Sequence, residues 1–252
     1  MSFVRSQRTV LRRVAEIAYR RPDLAIRTSS GAPADGRECN SQRDVVIHNG
    51  VADLGPYRRH RRIAQRPRIL YVGIIKEDKG VLVLLDALTK LRLRQVEVDL
   101  SLVGASVPRS FDDVVRSWIR RNGLEDRVRL HGVLTGRAKA AAYYDADVFC
   151  FPTYFAAETS GLVVMEAMSC NLPVVATSWR GLPEIVDDGD SGFLVPPQNA
   201  EALAERLEML IRDYTLRWRM GEAARAKYER IFTIDAFVAR VRAEMDTFAS
   251  IT

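Results

Sequence analysis

The run Arg68-Ile69-Leu70-Tyr71-Val72-Gly73, leading through a short loop into the periodic apolar stretch that opens at Lys79-Gly80, decides the fold. Its apolar residues are continuous rather than alternating, the pattern of a strand buried on both faces. Residues 80–91 then carry helical periodicity. The same unit recurs downstream. Residues 96–104, 127–133, 147–151, 173–176 and the short 192–195 read as further strands. Residues 112–121, 136–145 (capped by Thr135) and 161–168 read as helices between them. Helices are expected again over 199–213, 216–231 and 235–249. Strands that alternate with helices specify an α/β domain with a doubly wound parallel sheet, here over residues 67–232.

Composition sets the outer limits. The 252 residues are 47% hydrophobic and 28% charged, ordinary values for a globular protein. No run approaches the ~18 apolar residues of a membrane span. The N-terminus lacks the apolar core of a signal peptide, so the cytoplasm is the expected compartment. Cys39, Cys150 and Cys170 are odd in number and lack metal-type spacing, which fits reducing surroundings. The three histidines are well separated, and no metal site is expected. The net charge of +6 is concentrated in arginines at 5–27 and 58–68. Without interleaved aromatics these blocks read as solvated faces or linkers, and nucleic acid is not an expected partner. Val10, Leu11, Val14, Ile17 and Ala18 give residues 1–21 helical spacing. Such a basic helix suits an anionic membrane or a partner domain equally. Residues 28–44 are polar, rich in turn formers, and read as a loop or linker.

In open parallel sheets ligands sit beyond the carboxyl ends of the strands. The segments that land there are 73–80, 104–110, 132–135, 152–161 and 177–183. The first, Gly73-Ile74-Ile75-Lys76-Glu77-Asp78-Lys79-Gly80, brings two lysines to a helix start, where backbone amides attract anions. Ser160-Gly161-Leu162 offers a second helix start, and Gly161 allows close approach of a ligand to the backbone. Two such starts on one rim point to a pyrophosphate. Glu158 and Glu166 bracket an apolar run. Glu166 has Leu162, Val163, Ser169 and Cys170 as helical neighbours, none of them basic, and an unpaired buried carboxylate is costly. A ligand-facing role, accepting hydrogen bonds from ribose or sugar hydroxyls, is the reading set against a plain solvent-edge glutamate. A glycosidase pair made of the two glutamates fits less well, because Lys79 and the helix starts favour a phosphate-bearing ligand. His48, His60 and His131 have no partner in sequence that would build a nucleophilic triad. Trp179 and Arg180 fit a cleft wall or a structural loop equally.

From about Val45 to its C-terminus the chain resembles the nucleotide-binding half of the retaining glycosyltransferases of group 1, or family 4. The resemblance runs through Val46-Ile47-His48-Asn49-Gly50-Val51, Tyr71-Val72-Gly73, Lys79-Gly80 and Phe151-Pro152-Thr153-Tyr154. It is densest from Glu158 to Glu166, a Glu-x7-Glu motif, and continues through Pro173-Val174-Val175-Ala176-Thr177, Arg180-Gly181-Leu182-Pro183-Glu184 and Gly192-Phe193-Leu194-Val195-Pro196. It implies a Rossmann-like single C-terminal half of a GT-B fold and a UDP- or GDP-sugar donor. It further implies retention of anomeric configuration and no metal or cofactor. By analogy Lys79 and Glu158 are the catalytic pair, with Lys79 on the donor phosphates and Glu158 on sugar hydroxyls. The amides of Thr159, Ser160, Gly161 and Leu162 would meet phosphate and sugar. Glu166 would hold the ribose, Gly132 and Val133 would flank the base, and Gly73 and Gly80 would shape the phosphate loop.

Two positions depart from the family. Ile74 stands where an arginine usually partners the lysine, which leaves Lys76, or an arginine from elsewhere, to supply the second charge. Thr159-Ser160 replaces a common glycine-phenylalanine pair. Residues 45–252 are expected to form the donor domain, and 1–44 a basic helix and linker left from an acceptor domain or added as an extension. The expected activity is sugar transfer to a glycan or lipid-linked acceptor in polysaccharide assembly, at the inner membrane face. It would need an acceptor domain from a separate polypeptide or a lost N-terminal segment. The alternative is a non-catalytic nucleotide-sugar-binding module or an inactive truncated enzyme.

Overall fold

The computed structural model describes residues 22–31, 41–55 and 66–250. The expected helix of residues 1–21, Cys39, His60 and most of both arginine blocks lie outside the described residues. Two short strands come first. β1 (Leu24–Arg27) and β2 (Arg43–Val46) pair in parallel, in register from Leu24 with Arg43 to Arg27 with Val46. This corrects the expectation of an irregular linker up to residue 44: Arg43 and Asp44, at its end, belong to a strand. β1 is three apolar residues closed by Arg27, and β2 is two charged residues followed by Val45 and Val46. Both are only half-buried and too short to stand out as apolar runs. Arg27 belongs to this pairing, its Nε 2.8 Å from Asp44. Likewise Arg66 faces Glu97 at 3.5 Å.

The main sheet has six parallel strands: β3 (Arg68–Val72), β4 (Asp99–Val103), β5 (Val128–Gly132), β6 (Val148–Phe151), β7 (Val174–Thr177) and β8 (Gly192–Val195). Their order is β5-β4-β3-β6-β7-β8. The sheet therefore grows outward from β3 in one direction, and the chain then returns to build outward from β6 on the other side. Strands β6 and β7 are buried throughout, as are residues 69–72 of β3, which is why they read as unbroken apolar runs.

The helices are α1 (Val81–Leu93), α2 (Phe111–Arg121), α3 (Gly136–Asp145), α4 (Leu162–Ser169), the one-turn α5 (Leu182–Ile185), α6 (Ala200–Arg212), α7 (Tyr214–Lys227) and α8 (Ile234–Ala249). Helix α3 makes the long return from the β5 edge to the sheet centre, and only Tyr143 on it is buried. Thr135 occupies its N-cap, but the hydroxyl makes no capping bond; the next residue, Gly136, is left-handed (φ +52°) and turns the chain away from it. Helix α7 starts two residues earlier than its periodicity implies, because Asp213 caps it by accepting from the Leu216 amide at 2.9 Å. It ends in a π-helical turn, residues 228–232, that buries Tyr228 and Phe232.

The segment after β2 docks onto this body. The Val51 amide donates to the Phe232 carbonyl at 2.9 Å, and the Tyr228 hydroxyl donates to the Val51 carbonyl at 3.0 Å. The turn after β1 wraps the Glu184 carboxylate: Ser29 Oγ, the Ser30 amide and the Gly31 amide each donate to Oε1 at 3.0 Å. Burial pushes the Glu184 carboxyl upward, but these hydrogen bonds outweigh it and hold the group below its ordinary value.

One contact controls how the sheet opens at its centre. Gly80, left-handed at φ +75°, lies so close to β6 that any Cβ there would overlap the carbonyl oxygen of Pro152. Gly136 is also left-handed, but nothing lies within 4 Å of its missing Cβ. Gly80→Ala is therefore expected to cost about 2–4 kcal/mol, backbone strain plus overlap. Gly136→Ala should cost only the strain, about 1 kcal/mol. Urea unfolding midpoints of the two variants check the difference.

Candidate functional site

The strand order reverses between β3 and β6, and a crevice opens outside the carboxyl ends of strands at such a point. The loops leaving these two strands are residues 73–80 and 152–161. They are tied to one another, since the Tyr154 amide donates to the Asp78 carbonyl at 2.8 Å. Lys79 closes the first loop and Glu158 stands in the second, and the two meet: Lys79 Nζ donates to Glu158 Oε2 at 2.7 Å. The side chains are only 13% and 10% exposed. Phe155 lies beneath the ammonium with its ring centroid 4.3 Å away, and Phe151 is 5.9 Å away. Thr153 Oγ1 approaches the same carboxylate oxygen at 3.4 Å. Trp179 steadies the loop by donating from Nε1 to the Phe155 carbonyl at 2.9 Å.

Both helices that leave the crevice begin at glycine. Gly80 precedes α1 and Gly161 precedes α4, the latter at φ +48° and packed so that a Cβ would press on Leu182. A glycine N-cap offers the first-turn amides no capping side chain, so they suit an anion; at α4 the Val164 amide already bonds the Gly161 carbonyl at 2.8 Å. Leu162 is exposed at the mouth, while Ser160 is buried and its Oγ accepts from Asn49 Nδ2 at 2.9 Å. Asn49 thus ties the segment after β2 to the loop of residues 152–161. Gly73 ends β3, and its neighbour Ile74 is half exposed. Lys76 is held by Asp78 at 2.8 Å and shares the Phe155 ring with Lys79, 4.9 Å from the centroid.

Glu166 forms a second centre, one helix turn inside α4. It lacks a cation on its own helix, as the sequence implies, and finds one on α3. Lys139 Nζ donates to its Oε1 and the Tyr143 hydroxyl to its Oε2, both at 2.7 Å. Burial, then the Glu166 charge, push the Tyr143 hydroxyl well above its ordinary value, so it stays protonated and remains a donor. Lys139 and Tyr143 were invisible as site residues in the sequence. The available signal was their spacing of four, which puts both on one helix face just before β6.

The expected residues therefore divide. Lys79, Gly80, Glu158 and the 159–162 turn assemble at the crevice. Glu166 stands apart with Lys139 and Tyr143. Gly132 and Val133 leave edge strand β5, with Val133 66% exposed, and α3 links them to the Glu166 centre. A separate hollow of about 190 Å³ is lined by Arg68, Asp99, Ser101, Arg129, His131 and Ala142 of α3, and includes none of the expected site residues.

Residues 66–213 match the model of the family described as glycosyl transferases group 1. The D-inositol 3-phosphate glycosyltransferase of Arthrobacter sp. (strain FB24) is 35% identical over 219 residues, covering 80% of this chain and 51% of that protein. The sucrose-phosphate synthase of Thermosynechococcus elongatus superposes with a TM-score of 0.78 at 26% identity, covering 95% of this chain and 61% of that one. Anabaena HepE in complex with UDP gives a TM-score of 0.80 at 24% identity, with 95% and 68% covered, and shows likeness of fold. The chain spans about half the length of the curated relatives it matches. No helix among the described residues is long and apolar enough to cross a membrane.

Removing one partner of a buried ion pair leaves the other charge uncompensated, at a cost of about 3–5 kcal/mol. Lys79→Met is expected to lose that much stability, and Lys79→Met/Glu158→Gln to regain most of it. Urea titrations of the single and double variants measure the coupling.

Proposed function

The chain belongs to the group 1 glycosyl transferases, and we propose that it binds a nucleoside-diphosphate sugar across the centre of its sheet as the donor half of a sugar transfer. The observation that carries this reading is the Lys79–Glu158 pair bridging the exits of β3 and β6 beside two glycine-started helices. A diphosphate is the ligand whose charge and length suit a lysine beside two helix starts that carry no capping side chain.

As the diphosphate enters, Lys79 turns from Glu158 to a phosphate oxygen. Glu158, so released, accepts hydrogen bonds from sugar hydroxyls. Lys76 stands on the same aromatic ring as Lys79 and supplies the second positive charge that Ile74 does not. Glu166 accepts from the ribose hydroxyls, and the backbone at Gly132 and Val133 flanks the base. The bond from the anomeric carbon to the diphosphate oxygen breaks with its electron pair going to the diphosphate. An acceptor hydroxyl forms the new bond on the same face, and its proton leaves with the departing phosphate. The protein accelerates this by holding acceptor and leaving group together on one face of the sugar and by stabilising the diphosphate as charge develops on it.

We assign residues 45–252 to the donor domain and the acceptor-binding surface to a further domain, because the chain spans about half the length of its curated relatives. In this reading the acceptor is a glycan or a lipid-linked molecule, and the transfer takes place in the cytoplasm at the membrane face. The exposed Ile74 also supports a second reading, a nucleotide-sugar-binding module that performs no transfer.

Calorimetric titration with UDP, GDP and ADP tests the proposal. One nucleotide is expected to bind selectively, and Glu166→Ala to weaken it by about tenfold or more, some 1.4 kcal/mol. Absence of binding by all three would overturn the donor reading. Sugar transfer by the purified chain would remove the second reading.

A further inference from the structure

We propose that Lys139 is a specificity-determining residue that sets the preference of the site for ribose over deoxyribose. This rests on the donor reading given above. Glu166 cannot be placed by its own helix, because α4 gives it no polar neighbour within one turn except Ser169, whose hydroxyl donates to the Glu166 carbonyl instead. The carboxylate is placed from α3, with Lys139 on one oxygen and Tyr143 on the other. The two contacts fix both the position and the plane of the group. Tyr143 is fully buried and packs against Phe149 of β6 at a tilt of 36°, with ring centroids 5.8 Å apart, so it forms the rigid side of the clamp. Lys139 forms the open side. Its side chain is 27% exposed and that of Glu166 is 18% exposed, so the pair is reachable from solvent.

Both groups keep unused hydrogen-bonding capacity. An ammonium has three donors and spends one on Glu166. A carboxylate has about four acceptor positions and spends two here. What remains is a donor set beside an acceptor set, both reachable from solvent. The ligand fragment that complements such a pair is a vicinal diol, since each hydroxyl both donates and accepts. The ribose 2′- and 3′-hydroxyls donate to Glu166 while their oxygens accept from Lys139. Removing the hydroxyls leaves both groups short of partners.

The test uses whichever of UDP, GDP and ADP binds the purified chain, together with its 2′,3′-dideoxy counterpart. Dissociation constants are measured for the wild type, Lys139→Met, Lys139→Gln and Lys139→Arg, with circular dichroism confirming the fold. The wild type is expected to prefer the ribonucleotide by about tenfold or more. Lys139→Met and Lys139→Gln should still bind through the diphosphate but lose most of that preference, and Lys139→Arg should keep it. If Lys139→Met folds poorly, Lys139→Gln carries the same comparison. An undiminished preference in the folded variants, or no preference in the wild type, would overturn the role of Lys139 while leaving the donor site standing. Failure of every nucleotide to bind the wild type would overturn both.

Discussion

Everything at the candidate site depends on how β3 and β6 lie side by side. They are neighbours in the sheet but separated by some 75 residues of chain, and their outgoing loops must diverge to opposite wings. That divergence opens the crevice. The close approach of Gly80 to the Pro152 carbonyl keeps it narrow. Two carboxylates and their lysines can be accommodated so near a core of buried aromatic and aliphatic side chains only because each charge has its partner from a different element. A lysine from the β3 exit meets a glutamate from the β6 exit, and a lysine from the crossover helix meets a glutamate on α4.

An aromatic layer connects these two centres beneath the surface. Tyr71 stacks near Phe151 and Phe151 near Phe149, and Phe149 packs at a tilt against Tyr143, with centroids roughly 6 Å apart throughout. At one end the Tyr71 hydroxyl donates to the Ile74 carbonyl at 2.7 Å and steadies the lysine-bearing loop. At the other the Tyr143 hydroxyl steadies Glu166. The same strands that build the core thus orient the polar groups above it, which limits the reorganisation a bound ligand requires. The segment after β2 reaches the same region through Asn49 and Ser160, so the position of the small β1–β2 sheet is coupled to the loop that carries Glu158.

The centre of the sheet was legible because β3, β6 and β7, buried on both faces, exclude polar residues. Strands β4 and β5, nearer the edge, carry Asp99, Ser101, Arg129 and His131 and showed through their place between helices that keep their period. The strand drawn from residue 96 begins only at Asp99, because Val96 and Val98 are buried ahead of the ladder rather than within it. Strands β1 and β2 escaped notice since Arg27, Arg43 and Asp44 interrupt them, and their pairing spans a 15-residue gap. Glu158, Glu166 and Lys79 stood out as polar residues at the ends or in the midst of apolar runs. Lys139, Tyr143, Phe155 and Asn49 did not, because their roles come from contacts between distant segments, which periodicity does not encode.

The central claim is that the crevice between β3 and β6 is where a nucleoside diphosphate binds. Amide hydrogen exchange, compared with and without UDP, GDP or ADP, tests it most directly. Slowed exchange is expected at residues 80–84 and 161–165, where both helices start, and at 132–139, which lead into the Lys139 clamp. Unchanged exchange there, with protection instead around the hollow lined by Arg68, Asp99 and Arg129, would contradict it.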